Sequence, residues 1–72
     1  MSQKVRLKMI DEDGNAHYFQ IEEHHGEYIV YQVELGLLTD WYTEIAQAKS
    51  FDRALEYARS FVGRKIKRIE EQ

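Results

Sequence analysis

Two adjacent histidines among glutamates are the residues of this chain whose types and spacing most resemble a chemical site. His24 and His25 lie in the stretch IEEHHGEYIV, beside Glu22, Glu23 and Glu27. Imidazole and carboxylate groups bind metals, but a structural metal site needs about four ligands held by a folded frame. A glycine directly after the histidines is typical of a hairpin turn with a solvated tip. The stretch therefore predicts a turn and no metal site, with weak metal binding as the alternative.

The remaining candidates for chemistry have structural explanations. The acidic stretch DEDGN at residues 11–15 lacks the glutamate that completes a calcium loop, so we predict a solvated turn. Ser50 suits a helix cap, Ser60 a helix surface and His17 the edge of the core. Catalysis needs a positioned nucleophile, acid or base in a cleft, and none of the usual constellations is present in the sequence. We predict no enzymatic activity, no catalytic residue and no cofactor.

The composition indicates a single small domain over residues 1–72. The chain has 43% hydrophobic and 32% charged residues, more apolar material than disordered chains carry. It has no cysteine and no long uncharged apolar run, which argues against disulfides and against a membrane partner. The charged start MSQKVRLK has no apolar stretch behind it, so we expect a cytoplasmic protein.

Alternation of apolar and polar residues predicts three strands, at residues 4–10, 17–22 and 28–35. The length of each hairpin loop sets the register of its strands, and a shift of one residue moves every side chain to the opposite face. Loops that place the apolar rows of both strands on the same face are therefore favoured. For the first hairpin this parity argument favours a loop of three or five residues over a tight Asp13-Gly14 turn. For the second it favours a three-residue loop at residues 24–26, which pairs Ile21 with Ile29, Phe19 with Tyr31 and His17 with Val33.

The second half of the chain contains one ambiguous segment and one clear helix. Residues 36–49 fit a helix with Leu37 and Leu38 on its apolar face, or a hairpin loop GLLTD followed by a strand that continues the inward row; we favour the strand. From Ser50, apolar residues at spacings of three and four predict an amphipathic helix that ends at Gly63. The tail RKIKRIEEQ fits either a final short strand or a frayed end.

These elements predict an α+β fold, in which an antiparallel meander of three or four strands carries one C-terminal helix on one face. The other face would then be open and rich in aromatic side chains, which is typical of interaction surfaces. We predict a small interaction domain that self-associates, as a homodimer, or binds a protein partner through this face. The predicted partner-binding residues are Tyr18, Tyr28, Val30 and Tyr42.

An alternative function follows from the distribution of charge. The net charge is −3, yet seven of the ten basic residues lie in the two terminal segments. If these segments meet in space, they form a basic stripe beside aromatic side chains, as in modules that bind single-stranded nucleic acid. The candidate residues are Lys4, Arg6, Lys8, Arg64, Lys65, Lys67 and Arg68. The acids in the middle of the chain oppose phosphate binding, which makes this the second hypothesis.

The order of elements resembles the βββα fold of HicB-type antitoxins, a partial double-stranded-RNA-binding-type fold. The resemblance covers residues 17–62 and rests on the hairpin YFQIEEHHGEYIVYQV and on AKSFDRALEYARSFV, a Ser-capped helix with an A-L-x-x-A pattern. The proline and glycine-cysteine segment typical of that family is absent, and Ala48 replaces the glycine expected before the cap. The resemblance implies the fold, and no functional residue of the family carries over to this chain.

Overall fold

The computed structural model describes residues 3–72, which form one antiparallel sheet with a helix packed on one face. The elements in chain order are β1 (Gln3–Asp11), β2 (Ala16–His24), β3 (Glu27–Glu34), β4 (Trp41–Ala48), α1 (Phe51–Val62) and β5 (Ile66–Glu71). The five strands lie in the order β4-β3-β2-β1-β5, so the last strand joins the outer side of the first. The predicted α+β class, the C-terminal helix and the final short strand are confirmed.

The β1–β2 hairpin has the longer loop that parity predicts. Ile10 pairs with Ala16 and Leu7 with Phe19, which leaves five residues, 11–15, between the last pair. The Asp11 carboxylate organises this loop by accepting the backbone N–H groups of Asp13 at 2.9 Å and Asn15 at 3.0 Å. Asp11 is therefore buried within the hairpin, at 1% exposure, although the sequence suggested a solvated acidic turn.

The β2–β3 turn is a correction to the sequence analysis. Only His25 and Gly26 separate the strands, with φ angles of 52° and 82°. Two successive residues in the left-handed region are typical of a type I′ turn, whose twist matches that of the flanking strands. Ile21 therefore pairs with Val30, and the predicted three-residue loop is wrong.

This register turns β3 over relative to the prediction. Val30 is fully buried in the core beneath the helix, and the Tyr28 ring lies 6.3 Å from that of Phe51 on α1. The face of the sheet away from the helix, here called the open face, receives the other row of β3 instead: Ile29, Tyr31 and Val33. The parity argument failed because β3 is apolar on both faces, so neither row could be assigned to the core from its composition.

The strand interpretation of the ambiguous segment is confirmed. β4 pairs with β3 from Glu34 and Trp41 to Tyr28 and Ala48, with an irregularity between Val30 and Tyr31. A β-bulge of this kind places an extra residue in one strand. The extra residue is Ile45, which still packs against the core, while Ala46 takes the place opposite Val30. Residues 35–40 form the β3–β4 loop, which contains the predicted hairpin loop GLLTD and also Leu35, because β3 ends at Glu34.

The helix forms as its caps predict and covers the core. The Ser50 hydroxyl accepts the N–H of Arg53 at 3.2 Å, and Gly63 ends the helix in the left-handed conformation with φ 72°. Ala54 and Ala58 are fully buried against the sheet, which lets the helix approach closely. The core beneath it combines side chains from β1 to β4: Leu7, Met9, Phe19, Ile21, Val30 and Ala48.

Candidate interaction surface

The β3–β4 loop and the first residue of β4 display the most exposed large apolar side chains in the described part of the chain. Leu37 and Leu38 are 104% and 101% exposed, and Trp41 and Leu35 are 67% and 57% exposed. We call these four side chains the loop surface. Apolar residues are common on protein surfaces singly, but a contiguous exposed cluster marks a contact site. The sequence placed both leucines in a loop or on a helix face and gave no reason to single them out.

Close backbone packing gives this loop a defined shape. Gly36 lies so near the Thr39 carbonyl that a Cβ on residue 36 would stand 2.1 Å from the oxygen. The Gly36 N–H also donates to Asp40 Oδ1 at 3.3 Å, which closes the loop on itself. A glycine is therefore required at this position to bring the two ends of the loop together.

An arginine from the far side of the sheet anchors the same loop. The Arg6 guanidinium donates to Asp40 Oδ2 at 2.9 Å and to the Tyr42 hydroxyl at 3.2 Å, and its Cζ lies 5.7 Å from the Tyr42 ring centroid. Arg6 belongs to β1, so its side chain crosses the open face over β2 and β3. The Arg6 hydrogen bond, together with that of Gly36, lowers the pKa of Asp40 below its usual value. Asp40 thus remains ionised and links the loop to the sheet.

A groove adjoins the loop surface. It has a volume of about 380 Å³ and lies where the ends of β2 and β3 meet the C-terminal end of α1. Phe19, Val33, Phe61 and Val62 contribute to its walls, and Glu34, the last residue of β3, lies on its lining directly before Leu35. Phe61 is 49% exposed although its ring makes an edge contact with that of Phe19, at 6.1 Å between centroids.

His17 joins this groove to the buried Asp11. The His17 Nε2 atom lies 2.9 Å from Asp11 Oδ2, and this hydrogen bond, reinforced by the two loop N–H groups, lowers the pKa of Asp11 despite its burial. His17 is partly exposed in the groove, and its predicted pairing with Val33 on β3 is wrong because Val33 pairs with Tyr18. An Asp-x-Asp-Gly-Asn loop that folds around its first aspartate is the signal that could have revealed this pair.

The open face contains only half of the predicted partner-binding residues. Tyr18 and Tyr42 lie on it, as the cross-strand neighbours of Val33. Tyr28 and Val30 lie on the helix side, and Val30 has no exposed surface for a partner. Their prediction as open-face residues is wrong, because the two-residue turn reverses β3.

Tyr31 occupies the centre of the open face in their place. Its cross-strand partners are Gln20 and Glu44. Burial raises the pKa of the Tyr31 hydroxyl, and the negative charges of Glu22 and Glu44 raise it further. The centre of the open face is therefore partly desolvated and bordered by acids.

The candidate nucleic-acid residues come together at the β1 and β5 side of the sheet. Lys4, Arg6 and Lys8 lie along β1, and the adjacent β5 carries Lys67 and Arg68. Arg64 and Lys65 precede β5, and the backbone carbonyl of Lys65 accepts the Glu12 N–H at 2.9 Å. The condition that the two basic termini meet in space is fulfilled.

Three of these seven cations are engaged by acids of the same chain. Arg6 is bound to Asp40, Arg64 pairs with Asp13, and Arg68 Nε donates to Glu70 Oε2 at 2.7 Å. The last pair lowers the pKa of Glu70, which keeps a negative charge within the basic segment. The stripe is thus less positive than its sequence implies.

The paired histidines lie at the end of β2 and in the turn that follows it. His24 ends β2 and lies 3.0 Å from Glu22 Oε1 through Nε2, a contact that lowers the pKa of Glu22. His25 occupies the first turn position and is exposed. Over residues 3–72 the structure assembles no group of three or more His, Asp or Glu side chains that could hold a metal ion.

Comparison with known proteins adds no relative to this picture. The chain matches no protein-family model, no curated protein and no solved structure. None of the helical segments described here is long and apolar enough to cross a membrane.

Proposed function

We propose that this chain is a non-catalytic interaction domain that binds a protein surface, either another protein or a second copy of itself, through the loop surface. One observation carries the proposal: Leu35, Leu37, Leu38 and Trp41 are all more than half exposed within a single loop and the first residue of β4. Burial of such side chains contributes about 1.5 to 3 kcal/mol each when it is complete. Tyr42, at 49% exposure, extends this surface toward the open face.

The fixed shape of the loop favours a role in binding over a role as an exposed connection between two strands. Gly36 and Asp40 hold the loop closed, and Arg6 ties it to the sheet. A surface that is ordered before contact loses less conformational entropy on binding, so more of the apolar contact energy appears as affinity. A loop that served only as a connection would gain nothing from two fully exposed leucines.

The test compares a loop variant with a matched variant on the helix. In Leu37→Ser/Leu38→Ser the loop surface loses its two most exposed side chains, while Tyr57→Ser removes an exposed ring, 46% accessible, from α1. Solution mass by light scattering, at low and high salt, reports self-association, and quantitative mass spectrometry of co-purified proteins reports other partners. We expect the loop variant to lose the association of the wild type and Tyr57→Ser to retain it. Identical behaviour of the loop variant and the wild type contradicts the proposal, as does a wild type that associates with nothing.

A second candidate function is the binding of single-stranded nucleic acid. The observation in its favour is that β1 and β5 are neighbours, with Lys4 and Lys8 along β1, Lys67 near its Ile10–Asp11 end, and Tyr18 beside Lys8 on the open face. Basic groups and a partly exposed ring on one sheet surface are the elements of a stacking platform. The internal pairing of Arg6, Arg64 and Arg68 weakens this candidate.

Anisotropy of a labelled oligonucleotide separates the two candidates. Binding at low salt that weakens in proportion to the logarithm of the salt concentration, and that is lost in Lys4→Glu/Lys8→Glu, supports the second candidate. No change in anisotropy at low salt excludes it and leaves the first proposal untouched.

A further inference from the structure

The loop surface adjoins the groove at Glu34, an exposed acid that pairs across the sheet with Trp41. We infer that the loop surface and the groove together take a basic amphipathic segment of another protein, with an apolar side chain in the groove and cationic groups facing the nearby acids. This inference rests on the proposed function and adds the chemistry of the partner.

Shape is the first argument. The groove lies next to the loop surface, because Glu34 lines it and pairs across the sheet with Trp41. Its volume of about 380 Å³ accommodates a leucine-sized or aromatic side chain, and its walls include the rings of Phe19 and Phe61. A partner that lies across the leucines of the loop can therefore insert one side chain into this groove. Anchoring by a few apolar residues in a pocket is the usual energetic pattern of protein interfaces.

Charge is the second argument. Residues 34–48 contain Glu34, Asp40 and Glu44 and no lysine or arginine. Glu34 is exposed on the groove side of the sheet and Glu44 is exposed on the open face, while Asp40 and Arg6 neutralise each other. An apolar surface with an acidic border attracts a partner of opposite charge and repels acidic partners.

The same charges disfavour the other occupants. Anionic lipid repels an acidic border, which argues against insertion of the leucines into a membrane. A second copy offers its basic residues mainly on β1 and β5, at the far side of the sheet from β4. Docking of that side against the loop surface of another copy would be head-to-tail, a contact that does not close into a two-fold dimer.

The sole tryptophan of the chain makes the test direct, since Trp41 belongs to the loop surface. The probes are three designed 18-residue peptides without tryptophan: an amphipathic leucine and lysine helix, its leucine and glutamate twin, and a scrambled leucine and lysine peptide that has no apolar face. Titrations follow the Trp41 emission of the full chain. We expect the amphipathic basic peptide to shift this emission to the blue and to bind at least about tenfold more tightly than the other two.

Two charge-reversal variants locate the contact. Glu34→Lys should weaken binding of the basic peptide about tenfold, whereas Glu71→Lys, the same change on β5, should leave it unchanged. Equal binding of the basic and acidic peptides, or no effect of Glu34→Lys, overturns the inference. A Trp41 shift caused by vesicles of phosphatidylcholine and phosphatidylserine, or by self-association without peptide binding, overturns it too. Self-association that depends on Leu37 and Leu38 would still support the proposed function, so the two failures are distinguishable.

Discussion

The register of β3 predicts opposite outcomes for the same substitution at two neighbouring residues. Val30 is 0% exposed beneath α1, whereas Ile29 lies on the open face with Glu22 as its cross-strand partner. Lysine at residue 30 would lose the burial of valine, about 1.5 to 3 kcal/mol, and would bury an unpaired ammonium group at several kcal/mol more. A chain of 72 residues has a free energy of unfolding of about 4 to 11 kcal/mol. We therefore expect Val30→Lys to be largely unfolded.

The same substitution one residue earlier should be tolerated. A lysine at residue 29 can extend along the open face toward Glu22, so we expect Ile29→Lys to change the free energy of unfolding by no more than about 1 kcal/mol. A milder core variant provides a measurable value if Val30→Lys does not fold. Val30→Ala removes two methylene equivalents, about 1.6 kcal/mol, and leaves a cavity, so the total loss should be about 2 to 3 kcal/mol.

Thermal and urea unfolding, followed by circular dichroism, give these differences. For a domain of this size, the loss in Val30→Ala corresponds to a decrease in Tm of about 10 to 20 °C. The three-residue turn would instead place Ile29 in the core and residue 30 on the open face. A stable Val30→Lys together with an unfolded Ile29→Lys would therefore refute the two-residue turn and the position of every β3 side chain that depends on it.

Three further predictions concern the turn, the buried acid and the loop. His25→Asn should raise the free energy of unfolding by about 0.5 to 1 kcal/mol in urea titrations, because asparagine adopts the positive φ of residue 25 more readily; no gain would contradict the type I′ turn. The pKa of Asp11 is lower in the folded chain than its ordinary value of 3.8, so its stabilising contribution is complete above that value and is lost as the pH falls through the lower, folded pKa. The Tm of Asp11→Asn should consequently fall less than that of the wild type as the pH decreases from 5 to 2, and parallel curves would argue against this role. Gly36→Ala should alter Trp41 emission while the helical signal is retained, because a Cβ cannot fit 2.1 Å from the Thr39 carbonyl oxygen; an unchanged spectrum would show that the loop adjusts freely.

Local patterns in the sequence were sufficient for most of the elements. The alternation of residues 4–10 predicts β1, and Ser50 and Gly63 bracket α1 because caps are local features with strong residue preferences. The strand over residues 41–48 followed from the continuation of an alternating row, although a helix fitted the same residues. These features depend on a few neighbouring residues, which is why one sequence reveals them.

The features that were missed depend on contacts between distant residues. Composition could not assign Val30 to the core because β3 is apolar on both faces, and the outcome is decided by the φ angles at His25 and Gly26. The bond from Arg6 to Asp40 joins residues 34 positions apart and leaves no trace in periodicity. The resemblance to HicB-type antitoxins stays a prediction, since none of the comparisons bears on it.

Side chains of the chain itself cover much of the open face, so the candidate interaction surface is the loop and not the sheet. Val33 is only 4% exposed on that face although no helix covers it, and its cross-strand neighbours on the two sides are Tyr18 and Tyr42. The Arg6 side chain crosses the same face and binds Tyr42 and Asp40. Aromatic residues that suggested a bare interaction surface thus partly satisfy one another within the chain. Leu37 and Leu38 have no such cover, so the free energy available for binding a partner is concentrated in the loop that Arg6 and Asp40 hold in place.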